Sequence, residues 1–144
     1  MKTPKRVLFV CIGNSCRSQM AEAFARAYGR DVIKPASAGV YPASFIAPDT
    51  KRAMAEKNLD LKGHKPKSIE DTDLSKFDLI VDMSGGLLEG LKKTPVEVWD
   101  VPDPISLDYD QHCKVRDRIE LLVKQLIREL SAGKPFARVF SIGL

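Results

Sequence analysis

The stretch Cys11-Ile12-Gly13-Asn14-Ser15-Cys16-Arg17-Ser18 places a thiol, a guanidinium and conformationally permissive residues within one short segment. A tight loop between a strand and a helix turns several backbone N–H groups into one concavity, backed by the positive end of the helix dipole. Gly13 and Asn14 are residue types that tolerate the left-handed backbone such a cradle uses. Arg17 can fork onto two oxygens of a tetrahedral oxyanion, which a lysine cannot do. A cysteine at the head of the loop shares that field, which favours thiolate over thiol. The chemistry expected is attack by Cys11 on a phosphate-like oxyanion. Ile12, Gly13, Asn14, Ser15, Cys16 and Ser18 would form the binding loop, and the same donors would stabilise charge during in-line transfer.

A cysteine and an arginine separated by five residues occur together often by chance, so the elements around them decide the matter. Val7 to Cys11 is apolar on both faces, as a central parallel strand is. From Ser18 to Tyr28, Met20, Ala23, Phe24, Ala27 and Tyr28 recur at helical spacing, with Gly29 as the stop. Val32 to Ala38 gives a weaker second strand. Pro48 opens a helix through about Asn58, proline being suited to a first turn. Phe77 to Met83 forms a third strand, broken by Gly85-Gly86 before a short helix to Lys93. Val96 to Trp99 is a fourth strand, and Asp110 to Leu130 carries an apolar stripe from Val115 to Leu130 as a long last helix.

This β-α-β-α order implies an α/β fold: a single three-layer domain over residues 1–144, with a four-stranded parallel sheet flanked by helices on both faces and a loose tail after about residue 133. Ligands in such sheets collect at the carboxyl ends of the strands, and the first strand ends at Cys11.

Bulk properties agree with a soluble enzyme. The 144 residues are enough for one continuous core, and 44% hydrophobic with 29% charged is an ordinary globular composition. The net charge of +4 would draw in anions. The basic residues are scattered without interleaved aromatics, which argues against nucleic acid. No stretch approaches the roughly 20 apolar residues of a membrane span. The basic start followed by Val7 to Ile12 lacks the cleavage site of a signal peptide. Three cysteines give no disulfide framework, so the expected compartment is the cytoplasm.

The segment from Val7 through Cys11, Arg17 and Ser18 to Glu22 resembles the low-molecular-weight protein tyrosine phosphatase family, which includes the thioredoxin-coupled arsenate reductases. Ser37-Ala38-Gly39, Gly63-His64-Lys65, Phe77 to Val81 and Asp103-Pro104 extend the resemblance across most of the chain. It implies Cys11 as nucleophile, Arg17 as oxyanion holder and Asp103 as general acid. It also implies that Asn14, Ser18, Ser37 and His64 brace the loop through hydrogen bonds. The chemistry asks for such an acid independently, since an alkoxide or phenoxide must be protonated as it leaves. Asp-Pro is equally a common turn start.

Two departures bear on the branch of the family. Gln19 stands where the phosphatases typically have proline, and Gly39-Val40-Tyr41-Pro42 also looks closer to the reductases. Against this, Met83 to Glu89 contains neither redox cysteine that the thioredoxin-coupled reductases carry there. Ile105 replaces the aromatic that often follows Asp-Pro, although Tyr41, Phe45 and Tyr109 could supply an apolar wall. The first reading is therefore a phosphatase acting on protein phosphotyrosine or a small aryl phosphate through a phosphocysteine. The alternative is an arsenate reductase using an external thiol donor: thioredoxin, glutaredoxin or a low-molecular-weight thiol. A non-catalytic anion-binding or redox-sensing domain comes third, because it would leave Arg17 and Asp103 without a task. No metal or organic cofactor is implied; one adjacent His112-Cys113 pair makes no metal site. Cys16 reads as a small buried residue that could pair with Cys11 on oxidation, Cys113 as an incidental surface cysteine, and Trp99 as a sheet residue near the rim.

Overall fold

The computed structural model of the protein describes residues 3–86, 88 and 94–133. The helix expected between Gly86 and Lys93 and the tail after Gly133 fall outside them. The element order is β1 (Lys5–Cys11), α1 (Arg17–Tyr28), β2 (Ile33–Gly39), α2 (Pro48–Ala55), two single-turn 3₁₀ helices (Ile69–Asp71 and Leu74–Lys76), β3 (Leu79–Asp82), β4 (Val96–Val98) and α3 (Tyr109–Ser131).

The strands form one parallel sheet in the order β2-β1-β3-β4. Strand β1 is central, and its two faces serve two cores. Val7, Phe9 and Cys11 point into the larger one with Met20 and Phe24 of α1, Met54 of α2 and Ile119 and Val123 of α3. Leu8 and Val10 point the other way, against Ala38 and Ile80, with Ile69, Leu74 and Phe77 closing over them. Among the described residues, the three α-helices thus pack on one face and the 3₁₀ turns on the other. Ser68 and Asp73 cap those turns by accepting from the N–H groups of Glu70 and Ser75. Phe9, Phe24, Met20 and Ile119 are wholly buried, each contributing about 1.5–3 kcal/mol by leaving water. That core is what makes the end of β1 a rigid platform.

Two boundaries differ from the sequence expectation for local reasons. Helix α2 stops at Ala55 because Asn58 is left-handed, with φ 60°, and the Leu59 N–H returns to the carbonyl of Met54. Strand β3 begins at Leu79, since Asp78 is engaged with the backbone of Arg6, accepting from its N–H at 2.8 Å. Gly29 does end α1, and a Cβ there would meet Ile127 of α3 at 2.8 Å.

Candidate active site

Cys11 is the last residue of β1 and is 2% exposed; Arg17 opens α1 and is 5% exposed. The intervening loop is held from outside. The carbonyls of Cys11, Ile12, Gly13 and Ser15 accept from the N–H groups of Val40, Tyr41, Ala43 and Ala47, and the carbonyl of Cys16 from that of Met20. In a trans peptide the N–H points opposite to the preceding carbonyl, so the N–H groups that follow these carbonyls point away from the partners that hold them. The segment from Val40 to Ala47 is thus a strap whose hydrogen bonds shape the cradle. Nothing in its sequence announces this task.

Asn14 takes the left-handed conformation, φ 51°, whereas Gly13 does not, which corrects half of the sequence expectation. The need for glycine lies instead at Gly39, paired with Cys11 across the sheet. A Cβ there would come within 2.8 Å of the Ile12 carbonyl and 2.9 Å of the Asn14 nitrogen.

The thiol sulfur of Cys11 lies 2.9 Å from the Ser18 hydroxyl. Asn14 donates through Nδ2 to that hydroxyl at 2.7 Å and accepts at Oδ1 from the Lys67 N–H at 2.9 Å. Gln19, fully buried, donates from Nε2 to Asn14 O and Oδ1 and to the Lys65 carbonyl, at 3.2, 3.1 and 3.3 Å. Its other amide atom faces Nδ1 of His64 at 3.0 Å. The structure therefore brings Asn14, Ser18 and His64 together, but through Gln19. Ser37 takes a different partner, donating to the Glu22 carboxylate at 2.5 Å, which is also paired with Arg26 at 2.7 Å.

Arg17 reaches along the carboxyl edge of the sheet to the segments that follow β3 and β4. Nη1 donates to the carbonyls of Met83 at 2.6 Å and Val101 at 2.9 Å, and Nη2 lies 3.4 Å from the Asp103 carboxylate. Its Nε is buried with no partner among the described residues, a donor suited to an oxyanion held in the cradle. Asp103 also accepts from the Ile105 N–H at 3.1 Å, so it is a turn start and a neighbour of the cradle at once. Ile12, Arg17, Met83, Trp99 and Asp103 line an open cleft of about 430 Å³. Trp99 is a buried wall of it, tilted against Phe9 at 5.8 Å, with its indole N–H donating to Glu97.

Burial pushes the Cys16 thiol up, opposed by neighbouring hydroxyls, so Cys16 is kept as a neutral thiol. Tyr41, Phe45 and Ile105 are exposed at 70, 67 and 55%. Tyr109 does not join them; its phenol is tied to Glu56, and Arg52 stacks on its ring. Cys113 is half-buried, and no cluster of metal-ligating side chains occurs among the described residues. No described helix is long and apolar enough to cross a membrane.

Residues 6–135 match the family described as low molecular weight phosphotyrosine protein phosphatase. The arsenate reductase of Brevibacillus brevis is 34% identical over 129 residues, 87% of this chain and 96% of that protein. Among solved structures, the arsenate reductase of Archaeoglobus fulgidus superposes with a TM-score of 0.78 at 36% identity, covering 85% of this chain and 99% of that one. The YwlE arginine phosphatase of Geobacillus stearothermophilus superposes at 0.79 with 25% identity, covering 90% and 95%.

Proposed function

The chain belongs to the low molecular weight phosphotyrosine protein phosphatase family, and from that premise we propose that it is an arsenate reductase working with a thiol from outside the chain. Cys11 attacks arsenic and forms an S–As bond, while a hydroxyl leaves as water with a proton from Asp103. A donor thiolate then attacks the Cys11 sulfur. The S–As bond breaks with its electron pair left on arsenic, giving arsenite and a mixed disulfide, which a second thiol reduces. Two thiols are oxidised to one disulfide as As(V) becomes As(III).

The observation carrying the oxyanion chemistry is the partnerless buried Nε of Arg17 beside the loop. Two things support arsenate over a phosphoester. The relatives bear that name, and Gln19 is built into the cradle.

A second reading, phosphomonoester hydrolysis through a phosphocysteine, has its own support. The stretch from Met83 to Glu89 offers no resolving cysteine, and Asp103 lies beside the cradle where a leaving group would need its proton. One pair of assays separates them: arsenite formation with thioredoxin-like, glutaredoxin-like and small thiol donors, and phosphate release from an aryl phosphate. The expected result is arsenite only when a donor is present, and none with Cys11→Ser. Aryl phosphate turnover without arsenite under any donor would transfer the assignment to the phosphatase reading.

A further inference from the structure

We propose that Gln19 is a positioning residue for Cys11: its side-chain amide joins His64 to Asn14 and thereby aims the Ser18 hydroxyl proton at the sulfur. The inference deepens the reading above and rests on Cys11 being the attacking group.

The direction of each hydrogen bond follows from its neighbours. The carbonyls of Asn14 and Lys65 only accept, so the atom of Gln19 facing both must be the NH₂. Its oxygen is then turned to His64, whose Nδ1 must carry the proton. The Lys67 N–H only donates, so the atom of Asn14 it meets is the oxygen, and Gln19 donates to that same oxygen. The Asn14 NH₂ consequently faces Ser18 and donates to its hydroxyl. With that lone pair taken, the Ser18 proton is free to point at Cys11. A hydrogen bond given to the sulfur favours its charged form.

Gln19 is the member that makes this a connected path. One NH₂ group holds both the carbonyl and the side-chain oxygen of left-handed Asn14, and the other end of the amide reaches His64, which belongs to a separate segment of the chain. Hydrogen bonds linked in this way polarise one another, most where Asn14, Ser18 and Gln19 are buried. The other ionisable groups at the loop, Arg17, Asp103 and Cys16, are engaged with partners other than Gln19.

The test is the pH profile of Cys11 alkylation by iodoacetamide, which needs no substrate. In Gln19→Met and Gln19→Glu the rate near pH 6 falls at least three-fold and the profile moves to higher pH, while the high-pH plateau stays at the wild-type level. A merely loosened loop would change the plateau as well. His64→Leu moves the profile in the same direction, and His64→Asn, which keeps a donor, restores it in part. Should the Gln19 variants fail to fold, ¹⁵N NMR of the wild type decides, because the relay needs His64 protonated at Nδ1. A profile in folded Gln19→Met that superposes on the wild type, or an Nε2–H His64, would overturn the role of Gln19 and leave the proposed function standing. Alkylation that spares Cys11 at every pH would overturn both.

Discussion

Arg17 performs two tasks with one planar group. Nη1 is committed to the carbonyls of Met83 and Val101, which fixes the plane of the guanidinium, while Nη2 lies beside Asp103 and the buried Nε is left without a partner among the described residues. A lysine would keep the charge and lose both the tether and the fork. Arg17→Lys is expected to lower turnover by about 10²-fold or more with the fold intact, as steady-state kinetics beside a melting curve will register. The placement of Cys11 at the end of β1 and of Arg17 at the start of α1 was legible because an apolar strand runs almost directly into a helical pattern there. Gln19 was legible only as a departure from a pattern, since a glutamine early in a helix has no spacing rule that marks it as a brace. Ser37 was over-read: sequence places it near the loop, but the nearby Glu22 carboxylate claims its proton.

At the scale of elements, β2 lies against the loop and α3 holds α1 in place. Gly39 lets β2 pass directly beneath the loop, and Gly39→Ala must push Ile12 and Asn14 outward. The expected outcome is a loss of turnover of at least 10-fold, about 1.4 kcal/mol, with a smaller change in melting temperature. This is visible only in three dimensions, because the obstructing atoms lie some 25 residues away in sequence and across the sheet. On the other side, α3 clasps α1 through Glu120, which accepts from Tyr28 at 2.6 Å and pairs with Lys57 at 3.0 Å. Burial works against the Glu120 charge, yet hydrogen bonds from Tyr28 and Lys57 outweigh it and hold the carboxyl below its usual range. Its contribution is therefore present above the ordinary carboxylate pKa and lost as pH falls through the lowered value. Burial and the same carboxylate push the Tyr28 phenol up to about 12, so its share persists below pH 10 and fades as pH approaches 12. Denaturant titrations should find Tyr28→Phe about 1 kcal/mol less stable at neutrality, with its difference from wild type shrinking at the alkaline end.

For the molecule as a whole, a parallel sheet collects four strand ends along one edge, so residues far apart in sequence meet there. Alternation of apolar strands and amphipathic helices made that architecture readable. The covering of the second face was less so, because the single-turn helices after Ser68 have no periodicity to detect. A site assembled this way should stabilise the entire fold when filled. Inorganic phosphate at about 100 times its dissociation constant is expected to add about 2.7 kcal/mol, seen by calorimetry as a rise of roughly 5–10 °C. The ion pair between Arg17 and Asp103 gives that experiment a sharper edge. The free protein already supplies its arginine with a resident counter-ion, so an arriving oxyanion competes with a carboxylate for the same cation. Removing the competitor in Asp103→Asn should therefore slow catalysis yet tighten phosphate, and the crippled variant should gain more thermal stability from the anion than the active enzyme does.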